Sequence, residues 1–328
     1  MSHVLVTGGA GYVGSHACKA LAAVGYIPVT FDNMSIGNHW AVKWGPLEIG
    51  DILDVNRLIE VFKQYKPFAV MHFAAYALVG ESMAEPAKYY RNNVTGTVNL
   101  LDQCRAFDVH NFVVSSTCAT YGEPGSLSIT EDMPQRPVNP YGASKLMMER
   151  ILDDYLMAYG IRFAALRYFN AAGADPDGVI GEFRQVETHL IPLVMRAITQ
   201  RKPIKVMGND YPTDDGTAIR DYVHVSDLAL AHVMALKKLV SGEQSIKANL
   251  GTGIGTSVSE IVDLSRSISG KEIVTEVHER RAGDPAALVA CTGASMNTLL
   301  AGHELFSIED VIRHAWAWEK KLNSVESL

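Results

Sequence analysis

The chain has 328 residues, of which 29 are Lys or Arg and 36 Asp or Glu, giving a formal charge of −7, with 48% hydrophobic and 20% charged residues. That length suits about two domains, and an acidic chain without clustered basic residues is a poor partner for a nucleic-acid backbone. No apolar run approaches the roughly 20 residues of a membrane helix, the N-terminus lacks the basic stretch of a secretory leader, and the widely spaced Cys18, Cys104, Cys118 and Cys291 suggest neither a disulfide framework nor a zinc motif. The expectation is a cytoplasmic globular protein that binds no membrane and needs no metal.

In chain order, residues 4–6 form an apolar strand, a Gly-rich turn follows, and residues 12–25 form a helix. Residues 27–31 are a second strand, 58–65 an amphipathic helix, 69–73 a buried strand, 89–107 a long helix and 111–115 another short strand. Strands alternating with covering helices are what a parallel sheet requires, so the expected fold is α/β, a Rossmann-like doubly wound parallel sheet. Beyond residue 167 the pattern loosens: 171–187 is a polar, Gly-containing loop, 190–199 a helix, 202–207 a strand, 208–216 turns, and 225–239 and 308–322 helices. The expected division is residues 1–166 for a dinucleotide and 167–328 for a smaller mixed α/β unit that takes the substrate.

Thr7-Gly8-Gly9-Ala10-Gly11-Tyr12-Val13-Gly14 joins the first strand to the first helix. Glycines at this junction let the backbone turn tightly and approach a pyrophosphate lying on the helix N-terminus. Asp32 ends the second strand, where a carboxylate accepts from both hydroxyls of a ribose and repels a 2′-phosphate; this favours NAD over NADP. A second Gly-rich stretch, Gly251-Thr252-Gly253-Ile254-Gly255, has Thr256 where the spaced third glycine belongs and is expected to be a tight turn of the second unit. Tyr141 and Lys145 lie four apart at the start of a helix, on one face. A neighbouring ammonium and a cationic nicotinamide would bring the phenol from about 10 towards neutrality, the range of a useful base.

These segments, with HFAAYALVGES from His72, YYRNN from Tyr89, Ser115-Ser116-Thr117, PYGASK from Pro140, LRYFNAAGA from Leu166, GNDYPTDDGTAIRDYVHV from Gly208 and RRAGD from Arg280, resemble the extended short-chain dehydrogenase/reductase superfamily, and within it the UDP-glucose (UDP-galactose) 4-epimerases. The resemblance implies tightly held NAD, a UDP-sugar substrate and a homodimer formed through the helices near residues 89–107 and 144–159. It implies that Tyr141 is the base at the sugar 4-hydroxyl, that Lys145 holds the nicotinamide ribose, and that Thr117 relays the proton. It assigns the cofactor to Gly8, Gly11, Tyr12, Val13, Gly14, Asp32, Asn33, Asp51, Ile52, Phe73, Ala74, Ala75, Ala77, Asn92, Ser115, Tyr141, Lys145 and Phe169. The UDP-sugar falls to Thr117, Tyr141, Asn170, His189, Leu190, Arg220, Arg281, Asp284 and Leu288, the arginines neutralising the diphosphate.

Related sugar dehydratases carry Asp-Glu after the Thr, where this chain has Cys118-Ala119, and related decarboxylases carry a Glu that is absent between Ser115 and Tyr121. Hydride transfer without further acid–base groups is expected to give simple epimerisation. An NAD-binding regulator is disfavoured because Thr117, Tyr141 and Lys145 are all present. Ala77 in place of a Lys, His189 in place of an Asn, Cys291 in place of an acid, and Leu288, between the bulky Tyr and the small residues seen elsewhere at the position that in this family gates entry of N-acetylated sugars, depart from the best-known members. They leave UDP-glucose/UDP-galactose first, UDP-xylose/UDP-arabinose second and UDP-N-acetylglucosamine third.

Overall fold

Alternation within the first apolar run sets the frame: Val4 and Val6 pack on one side of a sheet and Leu5 on the other, all three fully buried, as expected of a parallel strand covered on both faces. The structure, a computed structural model, describes residues 2–125, 128–281, 285–291 and 295–324. Its first half runs β1 (His3–Thr7), α1 (Tyr12–Ala23), β2 (Ile27–Asp32), β3 (Leu47–Ile49), α2 (Val55–Tyr65), β4 (Ala69–His72), α3 (Val79–Ala84), α4 (Pro86–Tyr89), α5 (Gly96–Ala106), β5 (Asn111–Thr117), α6 (Pro140–Tyr159) and β6 (Arg162–Tyr168).

The second half runs β7 (Asn170–Ala172), α7 (Leu190–Gln200), β8 (Ile204–Met207), β9 (Ile219–His224), α8 (Val225–Val240), β10 (Ile246–Leu250), β11 (Gly255–Ser257), α9 (Val258–Ser269), β12 (Thr275–His278), β13 (Ala287–Leu288), α10 (Ser295–Leu299) and α11 (Ile308–Ser324). The main sheet has seven strands in the order β10-β6-β5-β4-β1-β2-β3, every pair parallel. One face is covered by α1 and α8, through Ala17, Leu21, Leu228, Ala231 and Leu236. The other is covered by α2, α5 and α6, through Leu58, Phe62, Leu100, Met148 and Leu152. Beside this sheet, β9 holds β11 antiparallel and both β13 and β7 parallel. A separate core of Ile191, Val194, Met195, Ile261, Val311 and Ile312 lies among α7, α9 and α11.

The doubly wound parallel sheet and the smaller mixed unit are therefore as expected, with informative differences. A cut near residue 167 does not coincide with the edge of the sheet, because β10 pairs with β6 and α8 covers the same face as α1. The helix expected over 89–107 is interrupted by a π-helical turn at Tyr90–Thr95. There the buried Asn93 turns inward, accepting from the Tyr76 amide at 2.9 Å and donating to the Tyr76 carbonyl and the Ser144 hydroxyl at 3.0 Å. A widened turn of this kind is a usual way to aim a side chain at a site. The turn after β10 has a purpose that spacing did not reveal. Its Thr252 amide and hydroxyl and its Gly253 amide donate to the buried Asp221 carboxylate at 2.9, 2.7 and 2.9 Å, and the Ala290 amide joins them at 3.2 Å.

Candidate active site

The β1–α1 turn is shaped by contacts that leave no room for side chains. Gly8 has φ +72°, and a Cβ there would stand 2.6 Å from the Ala74 amide nitrogen; one on Gly14 would stand 2.2 Å from the Gly8 carbonyl oxygen. Gly11 occupies the N-cap of α1 without a side-chain cap, so Tyr12, Val13 and Gly14 begin a helix whose positive end is open to an anion. At the end of β2, the Asp32 carboxylate accepts from the amides of Ala10 and Met34 at 3.0 and 2.9 Å, which ties it to the glycine turn. Burial pushes its pKa up and the two amides pull it down. Asn33 donates to Asp51 at 2.9 Å, Asp51 also accepts from the Leu53 amide, and Ile52 between them is buried. The turn, the acid after β2 and the Asp51–Ile52 corner form the adenosine-sized ledge that a dinucleotide needs, and they fit NAD.

Phe73, Ala74 and Ala75 follow β4, with the Phe73 amide donating to the Thr7 carbonyl at 2.8 Å, whereas Ala77 is exposed. Asn92, half-buried, donates to Asn93 at 2.9 Å. Phe169 lies in a small apolar cluster with Cys118, Tyr121, Ile129 and Ala290, against which Leu288 packs.

Tyr141 and Lys145 enter the site because α6 starts well: Asn139 caps it by accepting from the Gly142 amide at 2.8 Å, and Pro140 occupies its first turn. The Thr117 side chain faces the Tyr141 hydroxyl and pulls its pKa down. The Lys145 side chain, on a residue only 2% exposed, donates to the Ser115 carbonyl at 2.8 Å. In the protein alone the expected lowering of the phenol is not found. Burial carries Tyr141 up to about 12, against the pull of Thr117 and Arg184, and burial carries Lys145 down to about 7, against the pull of Glu149. The physical reason is that both groups are desolvated and that the ammonium is engaged by a carbonyl.

Three of the residues expected to hold a UDP-sugar, Asn170, Arg220 and Leu288, stand on the small sheet. Asn170 on β7 is opposite Tyr222 on β9, and Leu288 on β13 is opposite Arg220 on β9. Asp221 on β9 accepts from the Ala290 amide at 3.2 Å, and Ala290 packs in one cluster with Cys118, Tyr121 and Phe169, so β9 borders the catalytic turn. His189 is the N-cap of α7, immediately before Leu190, and its Nδ1 is 2.6 Å from Glu182 Oε1. Glu182, Glu187 and His189 bring three donors within 4.8 Å of one another. Each carboxylate already faces a guanidinium, Arg184 at 3.5 Å and Arg196 at 3.8 Å, which offsets the charge that would attract a cation. Arg281 is exposed, and Asp284 lies outside the described residues.

Residues missing from the sequence reading complete the floor of the site. Glu149, Arg167, Tyr121 and Asn249 form one buried hydrogen-bonded chain, with Ser116 donating to Glu149. The signal for them was present in the four-residue step from Lys145 to Glu149 and in an arginine inside an otherwise apolar strand, Phe163-Ala164-Ala165-Leu166-Arg167.

Residues 4–251 match the NAD dependent epimerase/dehydratase family. Over 321 residues the chain is 48% identical to the UDP-glucose 4-epimerase of Rhizobium leguminosarum bv. trifolii, covering 98% of both proteins. It also resembles the crystal structure of UDP-glucose 4-epimerase from Brucella ovis in complex with NAD, with a TM-score of 0.92 and 50% identity, over 96% of this chain and 98% of that one. A UDP-glucose-4-epimerase from Stenotrophomonas maltophila, solved with bound NAD and formylated UDP-arabinopyranose, has a TM-score of 0.92 at 34% identity over 99% of each chain. With the glycine turn, the Tyr141–Lys145 pair and this full-length likeness together, the chain belongs to the NAD dependent epimerase/dehydratase family, among its UDP-glucose 4-epimerases.

Proposed function

We propose that the protein interconverts UDP-glucose and UDP-galactose by inverting C4, with NAD held through every turnover. The single observation that carries this reading is the meeting of Thr117, Tyr141 and Lys145 at the end of β5, opposite a sheet that bears Asn170, Arg220 and Leu288. NAD, when bound, supplies the acceptor and donor of hydride at C4 and a positive ring beside the phenol. Gly8, Gly11 and Gly14 admit its pyrophosphate, Asp32 accepts from its adenosine ribose, and Lys145 holds the nicotinamide ribose.

Tyr141 removes the 4-hydroxyl proton, with Thr117 relaying it, and returns it once the 4-keto sugar has turned its other face. Asn170, His189, Leu190 and Arg220, with Arg281 and Asp284, hold the UDP end while the sugar turns. Cys118 and Ala119 offer no additional acid or base in the catalytic turn, which leaves C5 and C6 untouched. The NAD-binding part corresponds to residues 1–166 together with the returning β10, and the UDP-sugar part to the rest. No helix among the described residues is long and apolar enough to cross a membrane, and the protein acts in the cytoplasm. It works as a homodimer through the outer face of α6, where Met147 and Met157 are exposed.

The test offers the purified protein UDP-galactose, UDP-xylose and UDP-N-acetylglucosamine separately, without added NAD. UDP-galactose is converted fastest, and NAD appears in the supernatant after denaturation. Absence of interconversion with all three overturns the reading, while a fastest rate with UDP-xylose replaces the hexose pair by the pentose pair.

A further inference from the structure

Beneath the reacting groups lies a carboxylate to which the mechanism above gives no part. Glu149 sits four residues after Lys145, on the same face of α6, and is 1% exposed. Its Oε1 accepts from the Ser116 hydroxyl at 2.5 Å and from Arg167 Nε at 2.9 Å; its Oε2 accepts from Arg167 Nη2 at 2.6 Å. Arg167 also donates to the Tyr121 hydroxyl at 2.7 Å, which donates to Asn249 at 2.8 Å. The chain of bonds thus ties α6 to β5, β6 and β10. Ser116 is the residue between Ser115, whose carbonyl receives Lys145, and Thr117, which meets Tyr141.

We propose that Glu149 is a positioning residue, one turn of α6 beyond Lys145, that holds the ammonium and the β5 end bearing Ser115 and Thr117 in their working arrangement. The proposal rests on the epimerase reading and adds a residue to it. The ionisable groups around this end of α6 are Tyr141, Lys145 and Glu149 on the helix, His72 on β4, Tyr89 on α4, Cys118 and Tyr121 after β5, Glu131 beside Asn249, Arg167 and Tyr168 on β6, and Arg184 towards Tyr141. Burial keeps His72 neutral and raises Tyr89, Cys118, Tyr121, Tyr141 and Tyr168, while the Glu149 carboxylate is ion-paired with Arg167 at 2.6 Å and acts on Lys145 one turn away. Removing the carboxylate takes away the anion that offsets the burial of Lys145, which favours the neutral amine.

The test measures the pH profile of kcat for UDP-galactose and, separately, the phenolate absorbance of the NAD-loaded protein, with Tyr141→Phe as the blank. In Glu149→Gln the alkaline limb moves to lower pH by about one unit and kcat at pH 8 falls about tenfold, with KM within about threefold. Glu149→Asp, which keeps the charge, keeps the original limb. Arg167→Gln, which leaves the carboxylate without its guanidinium, moves the limb the other way. A limb unmoved in Glu149→Gln, or moved in the same direction in Arg167→Gln, overturns the proposal. Should Glu149→Gln not fold, Glu149→Asp and Arg167→Gln decide by the same signs. The phenolate titration needs no turnover, so it still reads the proposal in a protein that fails to convert UDP-galactose.

Discussion

The two walls of the cleft are built by different means. On the cofactor side, seven parallel strands fix the ends of β1, β2, β4 and β5 by continuous register, and each functional residue stands at a strand end or in the helix turn that follows. On the substrate side, β7, β11 and β13 have three, three and two residues, too few to hold register through backbone pairing alone. There a buried carboxylate, Asp221, gathers the turn after β10 and the Ala290 amide around β9. The first wall is rigid through repetition and the second through one polar knot. On the function proposed above, the groups that must stay aligned with NAD belong to the first, and those that must tolerate either face of a sugar belong to the second.

If the chemistry resides on the cofactor wall, Tyr141→Phe should give the largest effect: a fall in kcat of about 10³, or about 4 kcal/mol of transition-state stabilisation. KM for UDP-galactose should change by no more than about threefold, because the substrate wall is untouched. Steady-state kinetics on protein with its full complement of NAD check this, and turnover within tenfold of the unaltered protein would move the base elsewhere.

The walls also differ in acid, by degree. On the first, His16 and His232 are held at about 4 and His72 at about 3, each mainly by burial against the main sheet or its helices; on the second, burial holds His224 of β9 at about 3. A histidine whose folded pKa lies below its unfolded value of about 6.5 stabilises the fold fully above that value. The contribution is lost as pH falls from 6.5 towards the folded value, because only the unfolded chain takes up the proton. At pH 5.5 each of the four contributes a loss of about 1.4 kcal/mol, which is about 4 kcal/mol on the first wall against about 1.4 kcal/mol on the second. Urea unfolding at pH 7.5 and 5.5 should show that loss, with protection of the α1, β4, β9 and α8 amides from hydrogen exchange falling in step. Equal stability at the two pH values would mean that these histidines titrate freely in the fold.

Asp221→Ala tests the knot of the second wall. It leaves the Thr252, Gly253 and Ala290 amides without their acceptor, a loss of about 3 kcal/mol. Because β9 carries Arg220, KM for UDP-galactose should rise about tenfold, the scale of one charge-assisted contact, while kcat stays within about threefold. A fall in kcat with KM unchanged would instead make Asp221 part of the cofactor wall.

The same contrast explains what could be read before the structure. Long-range regularity announces itself locally: Val4-Leu5-Val6 before a glycine turn, Asp32 at a strand end, and Tyr141 with Lys145 after an Asn-Pro helix start each carry their context in a few residues. The knot does not, since Asp221, Thr252 and Ala290 are far apart in the chain and each looks like an ordinary turn or strand residue. The π-helical turn at Tyr90–Thr95 was equally hidden, because apolar spacing reports which face is buried and not the hydrogen-bond step that aims Asn93. The return of β10 to the main sheet escaped notice because Ile246–Leu250 is too short to distinguish its sheet by composition.

The smallest effect concerns the sugar rather than the rate. Leu288 stands opposite Arg220 in β13 and packs on the cluster of Cys118, Tyr121, Ile129, Phe169 and Ala290, so its side chain joins the substrate wall to the catalytic turn. If Leu288 gates the sugar as the family resemblance implies, an N-acetyl group adds bulk that the leucine obstructs, and a pocket of this kind discriminates by about 1–3 kcal/mol per small apolar group. Leu288→Ala should therefore raise kcat/KM for UDP-N-acetylglucosamine relative to UDP-galactose about tenfold, with UDP-galactose itself changed by no more than about threefold. The shift should appear in the ratio and leave the pH profile alone, because Leu288 carries no charge and Tyr141 keeps its Thr117 partner. If the ratio stays where it was while both substrates slow together, the leucine is a prop for the catalytic turn, and the division of labour between the two walls fails at this residue.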